Sequence, residues 1–387
     1  MIAILAMSFI GLASSATSPA LATISNNFPE ASETAIASIA TLSSLTAVPC
    51  TIFSGIVVGR KIKFRTMTLL GLAIVCLGGF IPFFASNVAQ ILIGRAILGI
   101  GTGLIAPITS TLTLSLFSGE EVAKQFSRNS MSTNLGAIFF QMLGGFLCNY
   151  NWRMPFIAYL TVIPVLAIVY FFLPEPSSEA LGMNPRNKSI VQVKPQELIT
   201  WHLLSWSILH AVYMMFFYPF VTGMSGIIMK GGFGDATTSA LVLSVFTAMG
   251  VAGASSFSKL NQRCGKRSLA VAFSIAVLGY GLLLFADSLL AIYGGAAIFG
   301  IAYGMLAPAM SFYLGVGLRA DLRAPSVSLN SIFSSLGSFG AAFVMSMLRN
   351  LFHSTSDRFP FAAGIVFFAV CGVGFLLFGG EKKHENK

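Results

Sequence analysis

Long apolar stretches separated by short polar ones run through the whole chain. Each stretch holds roughly 20 mostly apolar residues, which lets a helix cross the ~30 Å hydrocarbon core of a bilayer. No long alternation of apolar and polar residues competes with these stretches, so we predict an all-α, polytopic membrane protein. The twelve predicted spans lie at residues 2–24, 34–58, 66–86, 88–116, 127–148, 155–173, 202–226, 236–257, 268–286, 289–316, 325–347 and 360–379.

The first span has an alternative interpretation. Residues 1–24 also resemble a secretory signal peptide, with SPALA as a cleavage-like sequence. No positive charge precedes the apolar run, and further apolar stretches follow it, which favours a membrane helix.

Lys and Arg are distributed unevenly between the loops. Eighteen lie in alternate loops and the C-terminal tail, against four on the opposite side. Because basic loops stay in the cytoplasm, both termini are predicted to be cytoplasmic, in the cell membrane. The longest polar connection, residues 174–200, separates an N-terminal bundle (1–173) from a C-terminal bundle (201–380), which a tail (381–387) follows.

Composition excludes the soluble classes. Only 9% of residues are charged, whereas soluble proteins carry about 25%. The net charge of +10 comes from basic residues in short loops between apolar runs. This placement indicates how the chain is oriented in the membrane and does not predict nucleic-acid binding. The five cysteines are scattered, so neither disulfides nor a structural metal site is expected.

The two halves carry similar sequences at matching positions. The GLIAP segment Gly103–Pro107 recurs 201 residues later as GMLAP, Gly304–Pro308. The SMSTN segment that ends at Asn134 matches SVSLN ending at Asn330, 196 residues later. Six spans per half mean that both halves enter the membrane in the same direction. The repeats are therefore expected to be related by an axis along the membrane normal.

Three motifs resemble those of one transporter family. The RAILGIGTG run Arg95–Gly103 resembles a fourth-helix motif of the major facilitator superfamily, and NWRMPF at Asn151–Phe156 resembles the start of its sixth helix. Ser18–Pro29 is similar to the end of helix one in its drug/proton antiporter efflux branch, although that branch has Gly-Pro in helix five where this chain has Phe140-Gln141. The resemblance covers essentially the whole chain. It implies two six-helix bundles that rock about a central cavity by alternating access.

The family also has a gating loop on the cytoplasmic side of each half. Its acidic residue and following glycine correspond here to Gly59 and Ile62 in the N-terminal half, and Gln262 takes the acidic position in the C-terminal half. The basic residues of the motif are largely retained. The predicted gating residues are Arg60, Arg263, Gly265, Lys266 and Arg267.

One arginine lies inside an apolar span. Arg95 at membrane depth costs roughly 3 kcal/mol or more, so it must face the protein interior or an aqueous cavity. We expect it in the substrate or proton pathway, and a role in helix packing is the alternative. The small-xxx-small step from Gly99 to Gly103 predicts close helix packing. The predicted packing residues are Gly99, Gly103, Pro107, Gly144, Gly304 and Pro308.

The acidic residues avoid the middle of the spans. All thirteen lie in loops, in tails or at span ends, so no carboxylate is placed to carry a proton through the membrane. Apart from Arg95 and the tyrosines, His210 is the only titratable group deep in a span, and a histidine can carry a proton near neutral pH. The alternatives are that His210 hydrogen-bonds a neighbouring helix or lies near a membrane interface.

Several polar and aromatic residues share helix faces. His210, Tyr213 and Tyr218 lie on one face of span seven with Met214 and Phe217. Such faces either line a cavity or bond neighbouring helices. The predicted substrate or proton pathway consists of Arg95, Asn134, Gln141, His210, Tyr213, Tyr218, Tyr303 and Asn330.

These features favour a secondary transporter that exports small organic molecules, with H⁺ coupling and without a cofactor. An aromatic, weakly polar cavity without acids suits neutral, amphipathic or anionic compounds. The chain lacks a phosphate-binding GxxxxGKS or GxxxxGKT motif, which argues against ATP drive. The expected partners are the lipid bilayer and a small-molecule substrate, with no nucleic acid and no second subunit.

This interpretation has three alternatives. The main alternative is a metabolite uptake permease of the same fold, since fold does not fix direction. A membrane enzyme would need a nucleophile–base or metal constellation, and none is visible in the sequence. A sensor or scaffold would usually carry an added soluble domain.

Overall fold

The computed structural model describes residues 1–59, 61–118, 120–175, 200–315 and 320–378. Twelve helices in this part of the chain are long and apolar enough to cross a membrane. The predicted Arg60, tail 381–387 and nearly all of connection 174–200 lie outside the described residues. The candidate spans are α1 (Ile2–Asn27), α2 (Glu33–Val57), α3 (Phe64–Phe84), α4 (Val88–Leu116), α5 (Lys124–Cys148), α6 (Met154–Phe172), α7 (Trp201–Lys230), α8 (Ala236–Cys264), α9 (Arg267–Leu284), α10 (Leu289–Gly315), α11 (Ser328–Leu351) and α12 (Phe359–Leu377). The helices that contain spans α5 and α11 begin earlier, at Glu120 and Ala320.

The predicted all-α fold of twelve spans is confirmed, and most helix ends agree within a few residues. The largest difference is α8, which was predicted to end at residue 257 and continues to Cys264. Its last turns are polar, and the hydroxyls of Ser255 and Ser256 donate to carbonyls of the preceding turn, at 3.0 Å each. The helix therefore extends beyond the apolar segment that hydropathy detects.

The first span is not the continuous α-helix that its apolar character suggests. Residues Ala13–Ala20 form a 3₁₀ helix between two α-helical pieces. This stretch is rich in Ser and Thr, whose hydroxyls compete for backbone carbonyls: Ser15 Oγ donates to Leu12 O at 2.7 Å. Pro19 also lacks the N–H that an α-helix needs. Hydropathy measures apolar length and does not register such a local change of geometry.

The chain forms two compact units, each built on one six-helix bundle. The first contains Met1–Lys194 together with Gly234–Ala240, the short segment around the start of α8. The second contains Pro195–Phe233 and Leu241–Lys387.

Asp235 fixes the start of α8 within the first unit. Its carboxylate accepts hydrogen bonds from the Thr238 backbone N–H at 2.8 Å and from Asn149 Nδ2 at 2.7 Å. Partial burial raises the pKa of Asp235, but these hydrogen bonds and that from the Thr238 hydroxyl outweigh it, so the pKa lies below its usual range. The ionised side chain can therefore cap the helix N-terminus.

The predicted glycine step on α4 forms a tight contact with α2. A Cβ on Gly99 would lie 2.8 Å from Ser43 Cα, and one on Gly103 would lie 2.9 Å from Ala47 Cα. Real Cβ atoms essentially never come so close, so only glycine fits. The Thr46 hydroxyl donates to Ala96 O of α4 at 3.0 Å, beside Gly99.

The second bundle repeats this contact between α10 and α8. A Cβ on Gly300 would lie 3.1 Å from the Phe246 carbonyl carbon, and one on Gly304 would lie 2.7 Å from that of Gly250. Gly300 and Gly304 follow Gly99 and Gly103 by 201 residues. The packing assigned to Gly103 and Gly304 therefore belongs to the duplicated scaffold.

The other predicted packing residues also lie inside helices. Pro107 and Pro308 occupy equivalent positions within α4 and α10. A Cβ on Gly144 of α5 would lie 2.8 Å from the Ala16 carbonyl carbon, so α5 packs directly on the 3₁₀ part of α1.

An arginine joins the third and sixth helices of each half. Arg153, just before α6, donates from Nη2 to Ala85 O at 3.1 Å, where α3 ends. Arg358, just before α12, donates from Nη2 to Ala286 O at 2.6 Å, where α9 ends. The two arginines are 205 residues apart and the two alanines 201, which fixes the register of the repeat.

We predict that Gly304→Val destabilises the protein while Gly294→Val on the same helix does not. Valine at Gly304 meets the α8 backbone, and such overpacking typically costs about 1–3 kcal/mol, whereas a Cβ at Gly294 meets nothing within 4 Å. Thermal melts of the purified protein, followed by size-exclusion chromatography, measure the difference. Equal melting temperatures for the two variants would contradict the packing described here.

Candidate functional site

Arg95 is fully buried in the first bundle and bonds to three other helices. Its Nε donates to Ile39 O of α2 at 2.7 Å, and Nη2 donates to Ser14 O of α1 at 2.8 Å. Nη1 donates to the Tyr159 hydroxyl of α6 at 2.5 Å. All three acceptors are neutral, and no carboxylate pairs with Arg95 among the described residues. The buried charge is therefore stabilised by hydrogen bonds to oxygens without an ion pair.

The local sequence makes room for this arrangement. The Tyr159 ring rests on Gly79 of α3, where a Cβ would lie 2.7 Å from Tyr159 Cβ. Ser14 belongs to the 3₁₀ part of α1, where the backbone departs from α-helical geometry. Neighbouring side chains commonly bond the backbone at such irregular points in membrane helices.

These contacts place Arg95 in the interior of the first bundle. It ties α1, α2 and α6 to its own helix, α4, with an exposed fraction of 0%. This geometry matches the packing alternative that the sequence left open. A role in the substrate or proton pathway stays a prediction.

The second bundle contains a similar contact between a tyrosine and a glycine, but the two residue types are exchanged between the helices. Tyr280 of α9 follows Gly79 of α3 by 201 residues, and Gly364 of α12 follows Tyr159 of α6 by 205, the same offsets as the arginine contacts. A Cβ on Gly364 would lie 2.7 Å from Tyr280 Cδ2. In both halves a buried tyrosine ring thus packs on a glycine, but from opposite helices.

The arginine itself has no counterpart in the second half. The residue 201 positions after Arg95 is Ala296, which is fully buried. Tyr280 instead donates its hydroxyl to Phe216 O of α7 at 2.7 Å, three residues before Pro219. The two cores therefore share packing but differ in charge.

His210 pairs with Asn330 inside the second bundle. His210 Nδ1 lies 3.1 Å from Asn330 Oδ1, and their exposed fractions are 6% and 3%. The hydrogen bond joins α7 to α11, as one of the alternatives for His210 anticipated. The structure thus brings together two of the predicted pathway residues, which are 120 positions apart. Proton carriage by His210 is still a prediction.

The aromatic face of α7 packs inside the same bundle. The rings of Phe217 and Tyr303 stack with centroids 4.5 Å apart and an interplanar angle of 20°. Tyr213 is fully buried and its ring lies 6.2 Å from that of Phe217. Tyr218 is half-buried and contacts Phe217 edge-on at 5.4 Å. Tyr213, Tyr218 and Tyr303 therefore form one aromatic cluster around Phe217.

The remaining predicted pathway residues belong to the first unit. Asn134 is half-buried, and its Nδ2 donates to Ser130 O on its own helix at 2.8 Å. Gln141 is 7% exposed. His210 and its aromatic neighbours belong to the second unit.

The predicted gating residues of the second half surround the turn between α8 and α9. Arg263 is exposed in the last turn of α8, Lys266 precedes α9 and Arg267 begins it. Gly265 has φ of +53°, a left-handed conformation that favours glycine, and its N–H donates to Asn261 O at 2.8 Å.

The first half ends its second helix in a similar way. Gly59 has φ of +76° just after α2, and its N–H donates to Ile62 O at 2.9 Å. This explains why glycine occupies the position where the family has an acidic residue, since a left-handed residue there favours glycine.

A buried polar network between α4 and α5 was not among the predicted sites. Asn129 Nδ2 donates to the Thr113 hydroxyl, and Gln125 Nε2 donates to Asn129 Oδ1, both at 2.9 Å. The sequence carries one signal for this network: Gln125 and Asn129 are four residues apart, so they lie on the same face of the helix.

The family follows from comparison with known proteins. A family model described as Major Facilitator Superfamily matches residues 3–342, so the chain belongs to this family of membrane transporters. The chain is similar to Multidrug resistance protein 2 of Bacillus subtilis (strain 168), with 23% identity over 342 residues, 84% of this chain and 81% of that protein. It is also 23% identical over 326 residues to the Bacillibactin exporter of the same organism, covering 79% of this chain and 77% of that one.

Solved structures share the fold at low identity. A nucleoside transporter superposes with a TM-score of 0.81 at 11% identity, covering 97% of this chain and 98% of that one. A D-xylose–proton symporter superposes with a TM-score of 0.75 at 13% identity, covering 96% and 95%. The predicted family and twelve-helix architecture are thus confirmed.

We predict that Tyr159→Phe lowers thermal stability and Tyr170→Phe on the same helix does not. Removing the Tyr159 hydroxyl leaves an Arg95 N–H buried without its acceptor, which costs about 1–3 kcal/mol, whereas Tyr170 is 57% exposed. Melting curves of both variants in one detergent provide the measurement. If Tyr159→Phe has the same melting temperature as the wild type, the Arg95 hydrogen bonds do not stabilise the bundle.

Proposed function

We propose that this protein is a secondary transporter of the cell membrane that exports small drug-like or amphipathic compounds in exchange for protons. Membership of the Major Facilitator Superfamily over residues 3–342 is the observation that carries the proposal. Two relatives of similar length are named as a multidrug resistance protein and an exporter, which supports outward transport. In this proposal the protein works by alternating access, with both termini in the cytoplasm and a monomer as the working unit.

The charge distribution supports neutral, amphipathic or anionic substrates. Acidic side chains described in the structure lie at helix ends or in loops, and one of them, Asp357, pairs with Lys230 at 3.0 Å. A strongly cationic compound would lack a carboxylate to pair with at membrane depth. The proposed substrate contacts are the polar and aromatic residues Asn134, Gln141, Tyr218 and Tyr303 together with His210, Tyr213 and Asn330.

Proton coupling is assigned to His210 in this proposal. Histidine is the side chain best suited to take up and release a proton at physiological pH, and no carboxylate in the middle of the described spans competes for this role. The hydrogen bond to Asn330 Oδ1 holds the ring in one orientation and supports an N–H on Nδ1. The other ring nitrogen is then available to take up and release a proton.

Uptake of a metabolite is the second candidate. The nucleoside transporter and the D-xylose–proton symporter share the fold, which supports a specific permease as well as an exporter. The two candidates make opposite predictions for the accumulation of a substrate inside cells.

We predict that cells without their own efflux pumps retain fewer fluorescent amphipathic compounds when they express this protein. A protonophore should abolish the difference, because it removes the proton gradient that drives export. His210→Asn should abolish the protonophore-sensitive part, whereas His202→Asn, at an exposed histidine of the same helix, should not.

Retention of each fluorescent compound, measured by flow cytometry in matched expression levels, tests this prediction. Export that persists with the protonophore would contradict proton coupling. Increased accumulation of a compound would favour the uptake permease.

A further inference from the structure

Three polar groups on α7 are buried without a protein partner. Ser207 Oγ, His210 Nε2 and the Tyr213 hydroxyl have no hydrogen-bond partner within the part of the chain that the structure describes. The exposed fractions of these residues are 0%, 6% and 0%. Successive members are three residues apart, so they lie on one side of the helix.

Such groups are costly for a folded protein. A buried donor or acceptor without a partner costs about 1–3 kcal/mol, and native structures contain few of them. Another buried tyrosine hydroxyl in the same bundle has a protein acceptor, since Tyr280 donates to Phe216 O at 2.7 Å. A group from outside the chain is therefore the simplest partner for the three unpaired groups of α7.

The chemistry of that group follows from His210 and Tyr213. His210 Nδ1 faces Asn330 Oδ1 at 3.1 Å, an acceptor, so Nδ1 carries the proton of the neutral ring and Nε2 is an acceptor. Tyr213, with its ring centroid 6.2 Å from that of His210, can donate from its hydroxyl. A ligand that satisfies both the Nε2 acceptor and the Tyr213 O–H donor must donate one hydrogen bond and accept another.

A hydroxyl meets both requirements. A carbonyl cannot donate to Nε2, and an ammonium group cannot accept from Tyr213. The rings of Phe217 and Phe368 flank Tyr213 at 6.2 Å each, so the surroundings of its hydroxyl are apolar. The polar contacts to a bound ligand therefore come from the unpaired groups of α7.

We propose that Ser207, His210 and Tyr213 form a subsite in the C-terminal bundle that binds one hydroxyl group. The hydroxyl belongs either to a transported compound or to a water molecule that occupies the same place. The first source rests on the proposed transport function, whereas the second does not. In either case His210 Nε2 accepts from the ligand and Tyr213 donates to it.

The first test is an experimental structure of the whole protein in lipid nanodiscs, at a resolution that shows water. It is determined without added compound and with umbelliferone, a fluorescent phenol. We expect density about 2.5–3.2 Å from both His210 Nε2 and the Tyr213 hydroxyl. Density that is unchanged by umbelliferone identifies water, and density that becomes its hydroxyl identifies substrate.

Absence of density at this position in both samples would overturn the proposal. So would a direct hydrogen bond between these two side chains, or between either of them and another protein group. Because no transport is measured, this outcome is independent of whether the protein exports or imports anything.

The second test compares two tyrosines of the same bundle. Tyr280→Phe should lower the melting temperature, since it removes a hydroxyl that bonds to protein, whereas Tyr213→Phe should change it little. Tyr213→Phe should instead weaken binding of umbelliferone about three- to tenfold, the value of one hydrogen bond, without weakening that of coumarin, the same ring system without the hydroxyl. Equal weakening of both compounds, or of neither when the wild type binds both, would overturn the substrate assignment.

Discussion

A guanidinium buried at membrane depth must find its hydrogen bonds inside the protein, and this constraint organises the first bundle. Arg95 meets it with two backbone carbonyls and one hydroxyl, from three different helices. The irregular part of α1 supplies one carbonyl, and Gly79 leaves the space in which the Tyr159 ring lies. A change at any of these points would leave a charged donor unpaired in an apolar medium, which is far more costly than the loss of one contact.

Duplication has conserved the scaffold and changed its chemistry. The glycine contacts at Gly103 and Gly304 recur at an offset of 201 residues, and the arginines that join the third and sixth helices recur at an offset of 205. The cores differ, because Arg95 corresponds to Ala296 and the polar group of the second bundle is His210 with Asn330. One bundle thus holds a permanent charge among neutral acceptors. The other holds a titratable ring near two hydroxyls, of Ser207 and Tyr213, that have no partner among the described residues. This division fits a transporter in which the second bundle handles protons and polar ligands.

The sequence predicted what depends on local pattern. Span length and glycine spacing are local properties, so twelve helices and the packing of Gly99 were foreseen. The partners of Arg95 were not, because a backbone carbonyl such as Ile39 O has no sequence signature. The pairing of His210 with Asn330 could not be predicted either. Helix periodicity gives the face on which a residue lies, but it does not identify the distant helix that packs on that face. The 3₁₀ part of α1 was not predicted for a related reason: the length of an apolar stretch carries no information about backbone geometry.

Exchange of protons for an organic compound is the central claim, and proton movement in proteoliposomes tests it most directly. The purified protein is reconstituted with a pH-sensitive dye inside, and a compound whose retention falls in expressing cells is added outside without any imposed pH gradient. The account predicts that inward movement of the compound drives protons outward, so the interior becomes more alkaline than in protein-free liposomes. Entry of the compound with no change in internal pH would contradict proton coupling, and acidification of the interior would mean that the two move together as in a symporter.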